Sequence, residues 1–239
     1  DGIYGSKTEA AVKKFQQKNG LTADGVTGTA TLKALGMTTT ENGASSSQSN
    51  SVDLLARVIS AEARGEPYSG QVAVGAVMAR VLRSQGIGVV HDTSQHDYPS
   101  YNDAYTNARA GIEAYLAQYP TIQMVLDVHR DALVDSDGTI YKPVLQIDGV
   151  KTAQVMLLVG TDDAGATFPD WTEHLALAME IQQQMNSLWP GLARPITLRT
   201  ARFNQQLTKG SLLVEVGSHG NTLEEALAGA RLFARSAAK

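Results

Sequence analysis

The sequence contains no cysteine, few aromatic residues and no long apolar run, and these absences exclude several protein classes. Without cysteine, a disulfide framework and thiolate metal sites are ruled out, so any metal must be held by His, Asp or Glu. No apolar run reaches the roughly 20 residues of a membrane span, and neither a signal peptide nor a membrane anchor is visible in this chain. The net charge of −4, without a basic patch, leads us to expect no nucleic-acid partner.

The chain does carry enough apolar material for one mid-sized core, with 239 residues of which 43% are hydrophobic. From residue 72 onwards, helical and strand patterns alternate. Helices are predicted at residues 72–84, 105–118, 171–189 and 221–236, and strands at residues 86–90, 121–128, 139–145, 153–159, 199–203 and 211–216. Strands separated by helices predict an α/β fold with a mostly parallel sheet flanked by helices.

A short repeat opens the chain. The pattern D-G-x-x-G-x-x-T-x-x-A begins at Asp1 and again at Asp24, and its glycines and hydroxyl residues suit tight turns followed by helix starts. The stretch resembles the peptidoglycan-binding repeat domain and covers about two of its three helices. The resemblance implies a small, truncated all-α wall-binding module over residues 1–37, with peptidoglycan as its ligand. The Thr/Ser/Asn/Gly-rich residues 38–51 are predicted to form a flexible linker.

Helical periodicity resumes at residue 52, and the motif A-E-A-R-G-E follows at residues 61–66. This stretch resembles the opening of the spore cortex-lytic transglycosylases, and the resemblance ends near Arg83. It implies a helical segment over residues 52–71, in which Glu62 is an alternative catalytic residue.

Ionisable residues cluster where predicted strands end, at His91-Asp92, around His129, and at Glu215 with His219 nearby. Ligands of open α/β sheets gather beyond the carboxyl ends of the strands. An apolar strand usually excludes charge, because an unpaired buried charge is costly. The clustering therefore predicts a functional site at this edge of the sheet.

His129 is the best metal candidate, because imidazole is a common zinc ligand. Asp127 or Asp131 is a candidate to orient its ring. A histidine satisfied at a strand end is the other interpretation, and residue type alone leaves both open.

Glu215 suits a general acid/base, because loss of hydration raises the pKa of a buried carboxylate toward neutrality. The alternative is a structural carboxylate paired with Arg or His. A capping-box pattern at residues 221–225 is expected to fix the loop that carries His219, and the glycines at 217 and 220 are expected to leave room for a substrate.

Three other histidines are weaker candidates. His174 is expected on the exposed face of an amphipathic helix. His91 and His96 lie in a loop with neighbouring aspartates, which suits either metal ligation or plain loop stabilisation.

Four segments, GIGVVHDTSQHDYPSYNDAY, VLDVHRDAL, FPDW and ARFNQQLTKGSLLVEVGSHGNTLEEA, resemble the stage II sporulation protein P family, from about residue 72 to the C-terminus. That family is similar in fold and site to the zinc-dependent N-acetylmuramoyl-L-alanine amidases. The resemblance implies amidase activity, with cross-link endopeptidase activity also attributed to the family.

The same resemblance assigns individual roles. It implies zinc as cofactor, His129 as a zinc ligand and Glu215 as the catalytic carboxylate, with Arg130, Asp131 and His219 supporting them. It further implies peptidoglycan and other sporulation wall hydrolases as partners. The expected location is extracytoplasmic, in the cell wall or on the outer face of a sporulation membrane.

One departure from the family pattern is substantial. The first metal motif, H-T-H-x-x-E-S, is absent, so we expect the amidase-like domain over residues 72–239 to lack its first metal-ligand strand and two zinc ligands. The chain looks like a fusion joined near residues 70–81. The alternatives are a non-catalytic wall-binding protein with a degenerate amidase fold, or a lytic transglycosylase that uses Glu62.

Overall fold

The computed structural model describes residues 12–14, 16–23, 29–34, 53–58, 68–98, 100–163, 165 and 167–239. The chain divides into two compact units, Asp1–Ser49 and Asn50–Lys239. No helix in the described residues is long and apolar enough to cross a membrane.

In the small unit, the described residues are mainly helical. Residues 12–14 and 16–18 are helical, and a second helix runs from Thr29–Ala34. The buried side chain of Gln16 donates to Oγ1 of Thr31 at 3.0 Å and so ties the two helical stretches together. These helices confirm the all-α character expected of the N-terminal unit.

The large unit contains eight strands and four longer helices in its described residues. The strands are β1 (Asp53–Val58), β2 (Val89–Asp92), β3 (Ile122–Asp131), β4 (Val144–Ile147), β5 (Val150–Ala153), β6 (Val155–Gly160), β7 (Thr197–Arg199) and β8 (Leu212–Ser218). The helices are α1 (Tyr68–Ser84), α2 (Ala104–Gln118), α3 (Trp171–Leu188) and α4 (Leu223–Ala237).

Six of the strands form one sheet in the order β2-β1-β3-β8-β6-β7. Strands β2, β1, β3 and β8 are parallel, whereas β6 runs antiparallel to β8 and carries β7 parallel to itself. Strands β4 and β5 form a separate antiparallel hairpin. The expected mostly parallel sheet flanked by helices is confirmed.

The two faces of the sheet are covered differently. On one face, Leu126 and Val214 lie in the main hydrophobic core, which includes Met78 of α1, Ile181 of α3 and Phe233 of α4. Every residue of β8 is buried, as is typical of a central strand in a sheet that is covered on both faces.

The other face is covered by α2. Ile112 of this helix packs with Ile122 and Val125 of β3 in a smaller cluster. Since successive side chains of a strand alternate between faces, Val125 shares its face with Asp127 and His129. The polar residues at the end of β3 therefore lie on the side of the less extensive core.

The helix expected at the start of the segment 52–71 is wrong for residues 53–58, which form β1. A short apolar run fits a buried strand as well as a helix, and here the backbone pairs on both sides with parallel strands. The compact unit therefore includes a strand ahead of α1. Residues 59–67, which include Glu62, lie outside the described residues.

Three strand predictions are shifted. The strand expected at residues 86–90 is found as β2, which begins three residues later. The strand expected at residues 139–145 is found as β4, in the hairpin. Of the strand expected at residues 199–203, only Arg199 belongs to β7. Phe203 and Asn204 have φ angles of 51° and 59°, which a strand cannot contain.

His174 is buried, with 1% of its surface exposed, so the prediction of a surface position is wrong. Its Nδ1 lies 2.8 Å from the carbonyl oxygen of Ser211, and its ring packs against Phe168 with centroids 5.1 Å apart. Because a carbonyl oxygen only accepts, Nδ1 carries the proton. Burial lowers the pKa of His174, although the hydrogen bond to Ser211 partly offsets this effect.

We predict that His174 makes the protein less stable in mild acid. Its folded-state pKa lies below the unfolded value of about 6.5, so the unfolded chain takes up more protons as the pH falls below that value. The free energy of unfolding should therefore decrease from pH 7 to pH 5. In His174→Asn, which keeps a donor for Ser211 but does not titrate, the decrease measured by urea unfolding should be smaller. His91, whose pKa burial also lowers, should contribute to the slope that remains. Equal slopes in both proteins would contradict the assignment.

We predict that Gly229 of α4 cannot be replaced without loss of stability. A Cβ atom at this position would collide with the backbone oxygen of Ala153, at the end of β5. Overpacking of this kind costs about 1–3 kcal/mol, which outweighs the helix propensity that alanine gains. Gly229→Ala should lower the free energy of unfolding by that amount. The exposed Asn186→Ala in α3 is the control and should leave it almost unchanged.

Candidate functional site

The site lies where β3 and β8 end side by side. In their parallel pairing, His129 stands in register with Glu215. Residues in register on neighbouring strands project to the same face about 4.8 Å apart. Both are buried, each with 4% of its surface exposed. The structure thus brings together the two residues that the sequence predicts as metal ligand and catalytic carboxylate.

Asp127 is the acidic neighbour of the imidazole. Its Oδ1 lies 3.0 Å from Nε2 of His129, and both side chains are buried. Asp131, the other candidate predicted from the sequence, is instead paired with Arg194, whose guanidinium donates to its Oδ2 at 2.8 Å. Asp127, and not Asp131, is therefore the carboxylate that contacts the ring of His129.

The buried oxygen Oδ1 of Asp127 bears on whether these side chains could hold a zinc ion. No described residue donates a hydrogen bond to this oxygen, although Nε2 of His129 is only 3.0 Å away. A buried carboxylate oxygen requires a hydrogen-bond donor or a cation, which here is either an N–H on Nε2 of His129 or a cation between the two atoms. Imidazole nitrogen and carboxylate oxygen are both zinc ligands, so the pair fits the metal.

The pair is not a complete metal site by itself. Catalytic zinc is normally held by three protein ligands. Within the described ranges, no group of three or more His, Asp or Glu residues is placed to hold a metal ion. Asp127 and His129 would therefore supply only two of the three protein ligands.

Arg130 is directed to the turn that follows β8. Its guanidinium donates to the carbonyl oxygens of Ser218, at 2.7 Å, and of Asn221. Burial lowers the pKa of Arg130, and the nearby charge of Glu225 acts in the opposite direction. Arg130 thus holds the β8 turn in place against the end of β3.

Two glycines of this turn are required because neighbouring residues fill the space that a side chain would need. Gly217 has a φ of 66°, and a Cβ there would lie 2.6 Å from Oδ1 of Asn221. At Gly220, a Cβ would lie 2.8 Å from Cγ2 of Ile140. These contacts correct the expectation that the glycines leave room for a substrate, because the space they leave is filled by neighbouring residues.

A capping box at the start of α4 fixes the same turn, as predicted. Oγ1 of Thr222 accepts from the backbone N–H of Glu225 at 3.3 Å, and Oε2 of Glu225 accepts from the backbone N–H of Thr222 at 3.1 Å. The side chain of Asn221 donates to the same Oε2 at 2.9 Å. Burial favours the protonated form of Glu225, but these hydrogen bonds and the charge of Lys142 outweigh it and lower its pKa.

His219 is held by the backbone of β3. Its own backbone N–H donates to the carbonyl oxygen of Asp131 at 3.0 Å, and its Nδ1 lies 3.3 Å from the same oxygen. The ring is half-buried at the rim of the site. The structure therefore places His219, Arg130 and Asp131 around the ends of β3 and β8.

His96 and Asp92 form a second buried pair at the end of β2. Nε2 of His96 lies 3.1 Å from Oδ2 of Asp92, and the backbone N–H of Ser94 donates to Oδ1 at 2.9 Å. Asn107 of α2 donates to the carbonyl oxygen of His96 at 2.8 Å. Of the two open interpretations, these contacts favour loop stabilisation.

Arg194 is the residue that the sequence analysis missed. Its contact with Asp131 spans 63 positions, and no local pattern around it distinguishes it from a surface arginine. The contact between Arg194 and Asp131 forms only in the folded protein, where the turn after α3 lies against β3.

Two family profiles match the chain. Residues 1–35 match a peptidoglycan binding domain, and residues 41–238 match Stage II sporulation protein P (SpoIIP). The second match begins ahead of the segment that the sequence analysis assigned to a transglycosylase-like piece.

Two curated relatives match parts of the chain. Stage II sporulation protein P of Bacillus subtilis (strain 168) is 28% identical over 165 residues, which cover 64% of this chain and 38% of the relative. The spore cortex-lytic enzyme of Bacillus cereus is 33% identical over 115 residues, which cover 35% of this chain and 44% of the relative. The chain thus spans less than half the length of either.

Solved structures are similar at low sequence identity. An N-acetylmuramoyl-L-alanine amidase from Clostridium difficile 630 has a TM-score of 0.48 at 14% identity, covering 80% of this chain and 94% of the amidase. The catalytic domain of CwlV, an N-acetylmuramoyl-L-alanine amidase from Bacillus (Paenibacillus) polymyxa var. colistinus, has a TM-score of 0.47 at 12% identity, covering 78% and 94%.

The family match extends from residue 41 to residue 238 and so covers most of the sequence, including every strand of the large unit. The chain therefore belongs to the stage II sporulation protein P family.

Proposed function

We propose that this chain is a peptidoglycan hydrolase of sporulation that cleaves the amide bond between N-acetylmuramic acid and the stem peptide. The observation that carries the proposal is the register of His129 with Glu215, beside the buried carboxylate of Asp127. A basic nitrogen and two carboxylates on one face suit amide hydrolysis, which needs carbonyl activation and proton transfer. Family membership supports the same substrate.

The N-terminal unit supports a cellular location at the peptidoglycan wall. Residues 1–35 match a peptidoglycan binding domain, so the chain carries a wall-directed module ahead of the sheet unit. We propose an extracytoplasmic location, in the cell wall or on the outer face of a sporulation membrane. Cross-link endopeptidase activity and cooperation with other sporulation wall hydrolases belong to the same proposal.

His129 and Asp127 are the residues that would hold the zinc ion. When bound, zinc supplies Lewis-acid chemistry, which polarises the amide carbonyl. The protein contributes a buried, low-dielectric position, in which the two donors are fixed by their places on a central strand.

Glu215 performs the proton transfers in this proposal. Its carboxylate accepts a proton from the attacking water and delivers it to the nitrogen of the leaving peptide. The side chain stands on a fully buried strand, so its position is defined by the sheet and not by a mobile loop. Such placement favours catalysis, because a misplaced proton acceptor loses most of its effect.

A second candidate function is a wall-binding protein without catalysis. It is favoured by the finding that no described group of three ligands could hold a metal ion. A third candidate is a lytic transglycosylase that uses Glu62, which lies outside the described residues. The products discriminate among them: the amidase releases stem peptides, the transglycosylase releases anhydro-muramic acid, and the binding protein releases nothing.

We predict that Glu215→Gln lowers the rate of stem-peptide release from purified peptidoglycan by about 10²–10⁴-fold. The substitution keeps the shape of the side chain but removes its ability to accept a proton. Mass spectrometry of the soluble products measures the rate. Glu224→Gln, on the exposed side of α4, is the matched control and should retain full activity. An active Glu215→Gln protein would rule out the assigned role.

We predict that the full chain purified with zinc retains the metal through His129 and Asp127. His129→Asn and Asp127→Asn should each reduce the zinc content measured by elemental analysis, because each removes one donor of the pair. Asp148→Asn is the control, since this exposed residue has a φ of 50° that asparagine tolerates. Equal zinc contents in all proteins would contradict the proposed ligands.

A further inference from the structure

A cavity of about 390 Å³ opens between the first half of α2 and the loop that follows β7. Its walls include Tyr105 and Arg109 of the helix and Arg202 and Phe203 of the loop. Because α2 packs through Ile112 against Val125, this helix covers the sheet face that bears Asp127 and His129. The volume is in the range of small-ligand sites, about 300–1,000 Å³.

The loop wall of this cavity is held in an uncommon backbone conformation. Phe203 and Asn204 both lie in the left-handed region, with φ angles of 51° and 59°. Such conformations cost free energy in residues other than glycine and persist only when surrounding contacts fix them. They cluster at ligand-binding sites.

Hydrogen bonds to two neighbouring elements fix the loop. The side chain of Asn204 donates to the carbonyl oxygen of Tyr105 at 2.8 Å. The buried side chain of Gln205 donates to the carbonyl oxygen of Leu158 at 2.9 Å and accepts from the N–H of Gly160 at 2.9 Å. The cavity wall is therefore preformed, which lowers the entropy cost of binding a ligand.

Both formal charges on the cavity wall are positive. Among the described residues that line it, the charged ones are Arg109 and Arg202, and none is acidic. Nε of Arg109 donates to Glu113 at 2.7 Å, and one terminal nitrogen of Arg202 donates to the carbonyl oxygen of Thr167 at 3.2 Å. Each guanidinium carries five N–H donors, so most of them remain available to a ligand.

Aromatic and amide groups complete the wall. The rings of Tyr105 and Phe203 meet edge to face, with centroids 5.6 Å apart. Thr106, Asn204 and Gln206 supply hydroxyl and amide groups. The cavity is much larger than a single carboxylate or phosphate, so its chemistry suits an acidic peptide of a few residues better than an inorganic anion.

We propose that this cavity binds the stem peptide of peptidoglycan through its free carboxylates, with Arg109 and Arg202 as the recognising residues. The inference rests on the proposed function, because it assigns a subsite to the leaving part of that substrate. Guanidinium groups pair with carboxylates through two parallel hydrogen bonds, which selects acidic peptides over neutral ones. In this proposal, the segment ARFNQQL contributes to the selection of acidic peptides.

The test is an NMR titration of the full chain with free stem peptide, which contains no bond to N-acetylmuramic acid and so is not cleaved by an amidase. We expect Arg109→Ala and Arg202→Ala each to weaken binding about tenfold, since each removes charge-assisted hydrogen bonds. Arg202→Lys should weaken it less, because the charge remains. A peptide with all carboxylates converted to carboxamides should bind at least tenfold more weakly than the free acid.

Arg199→Ala is the matched control, an exposed arginine three residues before Arg202 that does not line the cavity. It should bind the peptide as the unmodified chain does, and thermal unfolding of every variant checks that it is folded. The inference is overturned if Arg202→Ala and Arg199→Ala bind equally, if the carboxamide peptide binds as well as the acid, if no peptide binds, or if inorganic phosphate binds with the same affinity. A chain that binds the peptide but hydrolyses nothing would refute the proposed function and leave this site intact.

Discussion

The hydrogen bonds between β3 and β8 are the interaction on which the site depends. They align two strands that are distant in sequence so that His129 and Glu215 occupy neighbouring positions on one face. A shift of one residue in this pairing would turn one of the two side chains to the opposite face, since side chains alternate along a strand. The apolar residues of β8 fix the register, because Leu212, Val214 and Val216 must reach the main core.

The two faces of the sheet differ: one packs against the main hydrophobic core, and the other carries the polar residues of the candidate site. Helices α1, α3 and α4 bury one face with aliphatic side chains, and this burial stabilises the fold. The opposite face carries Asp127, His129 and Glu215 under a smaller cluster around Ile112. Arg130 ties the β8 turn to the end of β3. The polar groups therefore lie on a sheet whose stability comes mainly from the apolar core on its other face.

Much of this arrangement could be predicted from the sequence, for physical reasons. The strands around His129 and Glu215 are mostly apolar stretches with charged residues in their second halves, and both are found where expected. Residues 53–58 were misassigned as helix because periodicity in a short apolar run does not distinguish the two structures, and only pairing with β2 and β3 decides. The burial of His174 and the contact of Arg194 with Asp131 depend on tertiary neighbours that leave no local signal.

The position of β8 in the middle of the sheet has a consequence for biosynthesis. Strand β8 lies between β3 and β6, yet it follows both of them in the chain. A nascent polypeptide that ends before residue 212 lacks β8, so it has two unpaired strand edges and no Glu215 carboxylate. Such long-range closure is a slow step, and the unpaired edges are prone to aggregation until it occurs. Because Glu215 lies on β8, the candidate site at the ends of β3 and β8 cannot form until this last strand is in place.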